Sequence, residues 1–155
     1  MRACCVARNR VRYKTHRSAR DRCHDGRMPT VNAISHVSLT VTDLESSVDW
    51  YTRALKMKRV RDMTGDGWKR TLMLGDGVML GLQQHDSTDS ADRFSETRVG
   101  LDHLSIACAD RGEIESWLAD LDSLGVAHSP ISAPPANVAT VKDPDGIAIE
   151  FFAQG

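Results

Sequence analysis

The chain contains an internal repeat, and this repeat limits the folds that the chain can adopt. Four positions recur after an interval of 67 residues with an identical or an equally apolar side chain. The matched pairs are His36 with His103, Leu39 with Ile106, Asp43 with Asp110, and Trp50 with Trp117. A repeating unit of this size is too small to bury both faces of its own sheet, so the two copies must pack together.

Both copies show the same order of hydrophobic patterns: a strand, a helix and then further strands. The first copy predicts a strand at 34–41, a helix at about 43–55 with Asp43 as N-cap, and strands at about 57–63, 68–74 and 78–84. The second predicts a strand at 101–108, a helix at about 110–124, a short strand near 126–131, and strands at about 136–142 and 147–153. We therefore predict an α+β fold in which two βαβββ modules form one curved mixed sheet around a cleft, with the helices outside.

The domain boundaries follow from the same patterns. We assign residues 28–155 to one domain, with module one at about 32–85, a polar linker at 86–98 and module two at about 99–155. Residues 1–27 carry nine Arg or Lys and two Asp, and they have neither a hydrophobic period nor the apolar core of a secretory signal. We expect this segment to be a disordered tail.

Two other interpretations of the tail remain open. Met28 directly precedes Pro29 and the first patterned residues, so the natural chain could start there and the upstream residues could be a reading-frame extension. A nucleic-acid-binding arm or an organelle transit peptide is the second alternative.

Charge and composition narrow the class of partners. Residues 28–155 carry eleven basic and nineteen acidic side chains, which argues against a nucleic acid. No apolar run is long enough to cross a bilayer, so we expect no membrane partner. Cys108 is the one cysteine in the patterned region, which favours a reducing compartment and a cytoplasmic location.

The last strand carries the most informative side chain. Asp143-Pro-Asp-Gly146 predicts a tight turn that leads into a strand, and on that strand Glu150 shares a face with Ala148 and Phe152. A carboxylate on such a face costs free energy unless it is paired, hydrogen-bonded or bound to a metal.

His36 and His103 are the candidate partners of this carboxylate, since each is the third residue of a predicted strand. Two imidazoles and one carboxylate on strands suit a divalent cation with open positions for water or substrate. The alternative is that both histidines are hydrogen-bonded inside the sheet while Glu150 pairs with Arg70 or Lys142. Because the two histidines occupy equivalent positions of the repeat, we favour the metal site.

Together these motifs resemble the vicinal oxygen chelate superfamily. It includes glyoxalase I, fosfomycin-resistance thiol transferases, methylmalonyl-CoA epimerase, extradiol dioxygenases and bleomycin-binding proteins. The resemblance covers about residues 32–155 and rests on the following motifs: His36-Val-Ser-Leu, Asp43-Leu, Trp50-Tyr, His103-Leu-Ser-Ile, Asp143-Pro-Asp-Gly and Ile149-Glu-Phe.

The resemblance implies a set of metal ligands. Carried over by position, His36, His103 and Glu150 are ligands, and the fourth position falls on Gly81, which has no side chain to offer. Gln83 lies two residues further on the same strand face and could substitute for it.

His85 ends the same predicted strand. It could act as an acid or base at the mouth of the cleft, or be a solvated histidine at a strand end.

The resemblance also implies a function. We expect a glyoxalase-like metalloenzyme with lyase or isomerase chemistry on a small substrate that presents two neighbouring oxygens to a zinc, nickel, manganese or iron ion. Glu150 would hold the metal and serve as the base. Relatives commonly pair, sometimes completing each cleft with strands from both subunits, so we expect a homodimer.

Three alternatives use the same cleft. They are a metal-free protein that sequesters an antibiotic or another small molecule, as the bleomycin-resistance relatives do, a thiol transferase, and a dioxygenase. A dioxygenase would also need a tyrosine near the metal, and the stretch 137–141 before the last turn contains none.

Overall fold

The computed structural model describes residue 31 and residues 33–133 and 135–155, so the predicted tail lies outside the described residues. Each module of the described region begins with a strand that is followed by a helix and then further strands. In chain order the elements are β1 (Val37–Thr40), α1 (Leu44–Ala54), β2 (Lys58–Gly65), β3 (Trp68–Leu74), β4 (Met79–His85), β5 (Leu104–Ala107), α2 (Arg111–Ser123), β6 (Ala136–Lys142) and β7 (Ala148–Gln154). The prediction of an α+β fold built from two related modules is confirmed.

Module one forms a four-stranded sheet, sheet A, in the order β1-β4-β3-β2. β1 runs parallel to β4, whereas the β2–β3 and β3–β4 pairs are antiparallel. Helix α1 packs against β3 and β4, so alternate residues of these strands, such as Met73 and Leu82, are fully buried. The opposite surface, which we call the open face of sheet A, carries half-buried side chains such as Arg70 and Gln83.

Module two forms a three-stranded sheet, sheet B, in the order β5-β7-β6. β5 runs parallel to β7, and β6 runs antiparallel to it. Helix α2 packs on the face that carries Ile149 and Phe151, both fully buried, and Trp117 of this helix stacks on the Phe151 ring with centroids 5.2 Å apart. The other surface, the open face of sheet B, carries Glu150 and Phe152.

The repeat predicted from the sequence extends to the hydrogen-bond register. Val37 of β1 lies opposite Leu80 of β4, and the equivalent pair in module two is Leu104 and Ile149. The helices also begin in the same way, because Asp43 and Asp110 each accept a backbone N–H bond of 3.0 Å from the residue three positions on. Asp43 as N-cap is confirmed, and a side-chain acceptor there satisfies an otherwise unpaired helix donor.

The structure differs from the prediction in three places. The strands form two sheets, one in each module, instead of one continuous sheet. The first strand of each module begins at Val37 or Leu104, so His36 and His103 precede their strands by one residue. The predicted strand near 126–131 is absent, and its one ladder contact is an isolated bridge from His128 to Val141. Ser129 and Ser132 each donate a backbone N–H to β6, but their side-chain hydroxyls accept the return bonds from Thr140 and Val138 in place of backbone carbonyls, so no regular ladder forms.

The turn that precedes β7 joins the two modules. The Tyr51 hydroxyl of α1 donates to Asp143 Oδ2 at 3.1 Å, and the Thr42 backbone N–H donates to Asp145 Oδ2 at 3.0 Å. Asp143 Oδ1 also accepts the backbone N–H groups of Asp145 and Ile147. Both carboxylates are buried, with 5% and 4% exposure. Module one therefore supplies hydrogen-bond donors to buried carboxylates of module two.

A cavity of about 460 Å³ also lies between the modules, where apolar side chains of both line it, among them Leu80, Leu104 and Trp117. None of the site residues predicted from the sequence lines this cavity. Among the described residues, no helix has the length and hydrophobicity that crossing a bilayer requires.

Candidate functional site

Glu150 lies in the middle of β7 on the open face of sheet B. Its register neighbours are Ser105 on β5 and Thr140 on β6, and its side chain is 23% exposed. The flanking residues Ile149 and Phe151 face the core, as the alternation in the sequence predicts. The carboxylate therefore reaches a polar, partly solvated surface instead of the hydrophobic core.

His103 lies next to this carboxylate. Its Nε2 is 3.4 Å from Glu150 Oε2, and its Nδ1 is 2.7 Å from Asp102 Oδ1. The hydrogen bond to Asp102, reinforced by the nearby charge of Glu150, raises the pKa of His103 above its usual value. When the imidazole is neutral, a proton held on Nδ1 by Asp102 leaves the lone pair on Nε2, and this lone pair is directed to the Glu150 side.

His36 has different surroundings. It is exposed, and its Nδ1 is 3.0 Å from the hydroxyl of the neighbouring Ser35. Within the part of the chain that the structure describes, no three His, Cys, Asp or Glu side chains are grouped so that they could hold a metal ion. The structure thus brings His103 and Glu150 together in one chain but does not add His36, and the three-ligand set stays a prediction.

Gly81 occupies the position in β4 that Glu150 occupies in β7. It lies opposite Ser38 on β1, just as Glu150 lies opposite Ser105 on β5. A Cβ atom added at Gly81 would approach the Ser38 hydroxyl to 3.0 Å and Arg70 Cδ to 3.5 Å. The site of the missing fourth ligand is therefore packed by the arginine stem.

Gln83 makes two side-chain contacts on the open face of sheet A. Its Oε1 accepts from Arg70 Nε at 2.7 Å and from a terminal nitrogen of the same guanidinium, while its Nε2 is 2.9 Å from His85 Nε2. Because arginine can only donate, the orientation of the Gln83 amide is fixed and its nitrogen must face His85. The carbonyl oxygen that a metal would need is already occupied by Arg70.

The same contact defines the tautomer of His85. Since the Gln83 amide nitrogen can only donate, His85 Nε2 is the acceptor and the neutral ring carries its proton on Nδ1. His85 is half-buried at the end of β4, opposite Trp68 on β3. It belongs to a polar cluster on this face, and its predicted role as an acid or base stays a prediction.

Sequence reasoning missed several of these partners. Asp102 directly precedes His103, and this adjacency could have identified the residue that orients the imidazole. The sequence leaves open which side chains of the strand with Arg70 and Met73 face the cleft. In the structure Met73 is fully buried against α1, and Arg70 lies on the opposite, open face. Side-chain parity on that strand could not be read from its sequence.

Comparison with known proteins identifies the family. The model of the Glyoxalase/Bleomycin resistance protein/Dioxygenase superfamily matches residues 33–151. Catechol-2,3-dioxygenase of Bacillus subtilis (strain 168) is 30% identical over 126 residues, which cover 77% of this chain and 41% of that protein. The chain thus spans about two fifths of the length of this relative.

Two further proteins match over nearly their whole length. A probable lactoylglutathione lyase of Vibrio parahaemolyticus is 26% identical over 128 residues, covering 77% of this chain and 88% of the relative. A solved glyoxylase/bleomycin resistance protein/dioxygenase domain from Frankia sp. EAN1pec is 34% identical with a TM-score of 0.75, covering 81% of this chain and all of that one. The chain therefore belongs to the Glyoxalase/Bleomycin resistance protein/Dioxygenase superfamily.

Proposed function

We propose that this protein is a metal-dependent enzyme of the glyoxalase type, which performs lyase or isomerase chemistry on a small substrate with two neighbouring oxygens. The observation that carries the proposal is the convergence of His103 Nε2 and Glu150 Oε2, 3.4 Å apart on a partly open sheet surface. A fosfomycin resistance protein with a similar fold, FosX from Listeria monocytogenes, has been solved in complex with Mn(II). The 26% identity to a probable lactoylglutathione lyase agrees with this class of reaction.

The donor pair suits a divalent ion. Two ligands at about 2.1 Å from one tetrahedral ion are about 3.4 Å apart, which agrees with the separation of the two donor atoms. Asp102 accepts from the other ring nitrogen of His103, as the carboxylates behind metal-binding histidines do. A bound divalent ion would supply Lewis acidity that stabilises negative charge on the substrate oxygens.

Two donors are too few for a stable site, and we infer that His36 of a second copy supplies the third. His36 is exposed at the start of the edge strand β1, so it can reach a neighbouring molecule. A homodimer would thereby contain two equivalent sites, each with ligands from both chains. Gln83 is a weaker candidate for the fourth position, because its carbonyl oxygen would first have to leave Arg70.

The chain itself supplies the proton-transfer groups. Glu150 is partly solvated and, when ionised, can take a proton from the substrate at its free carboxylate oxygen. Neutral His85 presents the lone pair of Nε2 to Gln83 and a proton on Nδ1, so that nitrogen can donate to a substrate oxygen. Dioxygenase chemistry has less support, because β6, the strand beside Glu150, carries no tyrosine.

Metal content provides the direct test. We expect full-length protein to retain about one zinc, nickel, manganese or iron ion per chain after dialysis, and His103→Ala and Glu150→Ala to lose it. Glu96→Ala, which removes an exposed linker carboxylate, is the matched control and should keep the metal. If wild-type protein fails to bind any of these ions even after their addition, the enzyme proposal is wrong, and metal-free binding of a small molecule becomes the better account.

Co-expression of two variants that each fail to bind metal tests whether the metal site is shared between chains. His36→Ala and Glu150→Ala should each bind no metal alone. In heterodimers, His36 of the second variant meets His103 and Glu150 of the first, so co-expression should restore metal to about a quarter of all sites. No restoration, or a monomer in sedimentation analysis, would contradict the shared site.

A further inference from the structure

We propose that Arg70 forms an oxyanion-binding subsite on the open face of sheet A, which receives a carboxylate or phosphonate group of the small-molecule substrate. The inference deepens the proposed function and rests on it for the identity of the ligand as a substrate. Its physical basis, a half-buried cation with unused donors, is independent of the metal.

Arg70 is half-buried but has no carboxylate partner among the described residues. Within the described residues, no carboxylate lies within 4.0 Å of its guanidinium, whereas Arg53, Arg59 and Arg111 all pair with carboxylates at more exposed positions. Partial burial makes an uncompensated charge more costly than it is in water. An anionic ligand would provide the missing compensation.

The guanidinium is already oriented for such a ligand. Gln83 Oε1 accepts from Nε and from one terminal nitrogen, and the Trp68 ring lies 5.5 Å from the guanidinium carbon. Arginine has five N–H donors, so three remain, including at least one on each terminal nitrogen. Two parallel donors of this kind match the two oxygens of a carboxylate or a phosphonate.

The surroundings are also suited to an anion. The register neighbours of Arg70 on the flanking strands are Met63 and Gln83, neither of which is acidic. Arg61 lies opposite Leu72, two residues along β3, and so adds a second positive charge to the same face. Asp62 points to the other side of the sheet, where it accepts a 2.8 Å bond from Thr71. The carboxylate of Asp62, on the strand beside Arg70, is thus directed away from the guanidinium.

The second module shows that the fold does not require this cluster. Val138 and Phe152 pair in sheet B at the positions that Arg70 and Gln83 occupy in sheet A. An apolar pair therefore satisfies the same sheet position. The polar pair in module one serves something other than the architecture, and ligand recognition accounts for it.

The test uses two simple anions and two matched variants. Methylphosphonate and propionate carry the two oxyanion groups and chelate metals poorly, so each can be titrated into full-length, metal-free protein by calorimetry and by tryptophan fluorescence. We expect saturable binding and a fluorescence change from Trp68, with affinity reduced about tenfold or more in Arg70→Gln. Lys69→Gln removes the same charge one residue away, on the other face of β3, and should change the affinity by less than about twofold.

The anion that binds more tightly identifies the substrate group. The proposal is overturned if wild-type protein binds neither anion, or if both variants lose affinity equally. Should Arg70→Gln fail to fold, Arg70→Lys keeps the charge without the planar fork and should bind about threefold or more weakly, while unchanged affinity would contradict the proposed geometry. Since these titrations use metal-free protein, their failure is distinguishable from failure of the metal site.

Discussion

The two modules share a backbone plan but differ in the chemistry of their open faces. In both, a short parallel pair joins the first strand to the last, and a helix capped by aspartate covers one side of the sheet. At one matched position module one pairs Leu72 with Gly81, where module two pairs Thr140 with Glu150. Two residues further along β4 and β7 the contrast reverses. Module one has the polar pair Arg70 and Gln83 there, where module two has the apolar pair Val138 and Phe152.

On the open faces of the two sheets, the repeat preserves backbone positions but not side chains. Hydrogen-bond register depends on backbone geometry, which many side chains tolerate. The helix caps recur because Asp43 and Asp110 both supply a side-chain acceptor. A half-buried sheet surface accepts either a polar or an apolar pair, provided that each polar group finds a partner. Glu150 and His103 therefore lie in module two and Arg70 lies in module one, although both modules offer equivalent positions.

The largest expected effect concerns Tyr51 of α1, which contacts the turn before β7. Tyr51 and Leu118 occupy equivalent helical positions, but Tyr51 is fully buried and also donates to Asp143. We expect Tyr51→Ala to lower the free energy of unfolding by about 5 kcal/mol and Leu118→Ala by about 2–3 kcal/mol, measured by urea denaturation. Tyr51→Phe, which keeps the ring, should cost about 1–2 kcal/mol. Equal losses in the two alanine variants would contradict this asymmetry.

The buried carboxyl group of Asp143, in the turn before β7, predicts a pH effect on stability. Burial raises the pKa of Asp143 from 3.8 to about 6. A raised pKa means that the folded state holds the proton more tightly. The associated stability is therefore complete below pH 3.8 and is lost as the pH rises through about 6. This difference corresponds to about 3 kcal/mol.

Replacing the acid isolates this contribution. In Asp143→Asn the fall in unfolding free energy between pH 4 and pH 7 should be about 2–2.5 kcal/mol smaller than in wild type, as measured by urea denaturation at each pH. Asp76→Asn, in an exposed turn of module one, is the control and should follow the wild-type curve. A variant curve parallel to wild type for Asp143→Asn would show that this carboxyl does not titrate as predicted.

Placing the missing carboxylate in module one should sharpen the contrast between the open faces. A side chain at Gly81 would begin 3.5 Å from Arg70 Cδ, so the carboxylate of Gly81→Glu can pair with the guanidinium. We expect the affinity for methylphosphonate or propionate, measured by calorimetry, to fall about tenfold. Gly81→Ala adds the steric part alone, a 3.0 Å approach to the Ser38 hydroxyl, and should retain most of the binding. Equal binding by both variants would count against the Arg70 subsite.

The smallest effect concerns the ends of the two helices. Lys56 has φ +55° and Gly125, its counterpart, has φ +68°, a region that favours glycine. Lys56→Gly should therefore raise the free energy of unfolding by about 0.5 kcal/mol, and Gly125→Lys should lower it by about 1 kcal/mol, in thermal denaturation. The gain is the smaller of the two because Lys56 also pairs with Asp120 at 3.4 Å. A stabilised Gly125→Lys variant would refute the argument.

Local patterns predicted most of this fold. The bounds of β3 and β6 agree with the sequence prediction, and the alternation around Glu150 gave the correct face for its carboxylate. These features depend on residues close in the chain. The strand predicted near 126–131 is absent because the hydroxyls of Ser129 and Ser132 accept bonds from β6 that backbone carbonyls would accept in a regular ladder.

The partners in the candidate site were harder to predict, because they depend on contacts between distant segments. Nothing local to Asp143 indicates that Tyr51 will donate to it from 92 residues away. The parity of Arg70 became clear only from its pairing with Gln83. His36 was grouped with His103 by the repeat, yet equivalence within a repeat does not require proximity within one chain.

The hydrogen bonds between the modules also affect how this protein can be divided. Thr42 and Tyr51 hold the two carboxylates of the turn that leads into β7, so the strand bearing Glu150 is anchored by the other half of the chain. A fragment containing module two alone would expose those carboxylates and the surface around them. The module is thus a unit of sequence repetition but not a unit of folding, and the position of Glu150 depends on residues that lie about a hundred positions earlier in the chain.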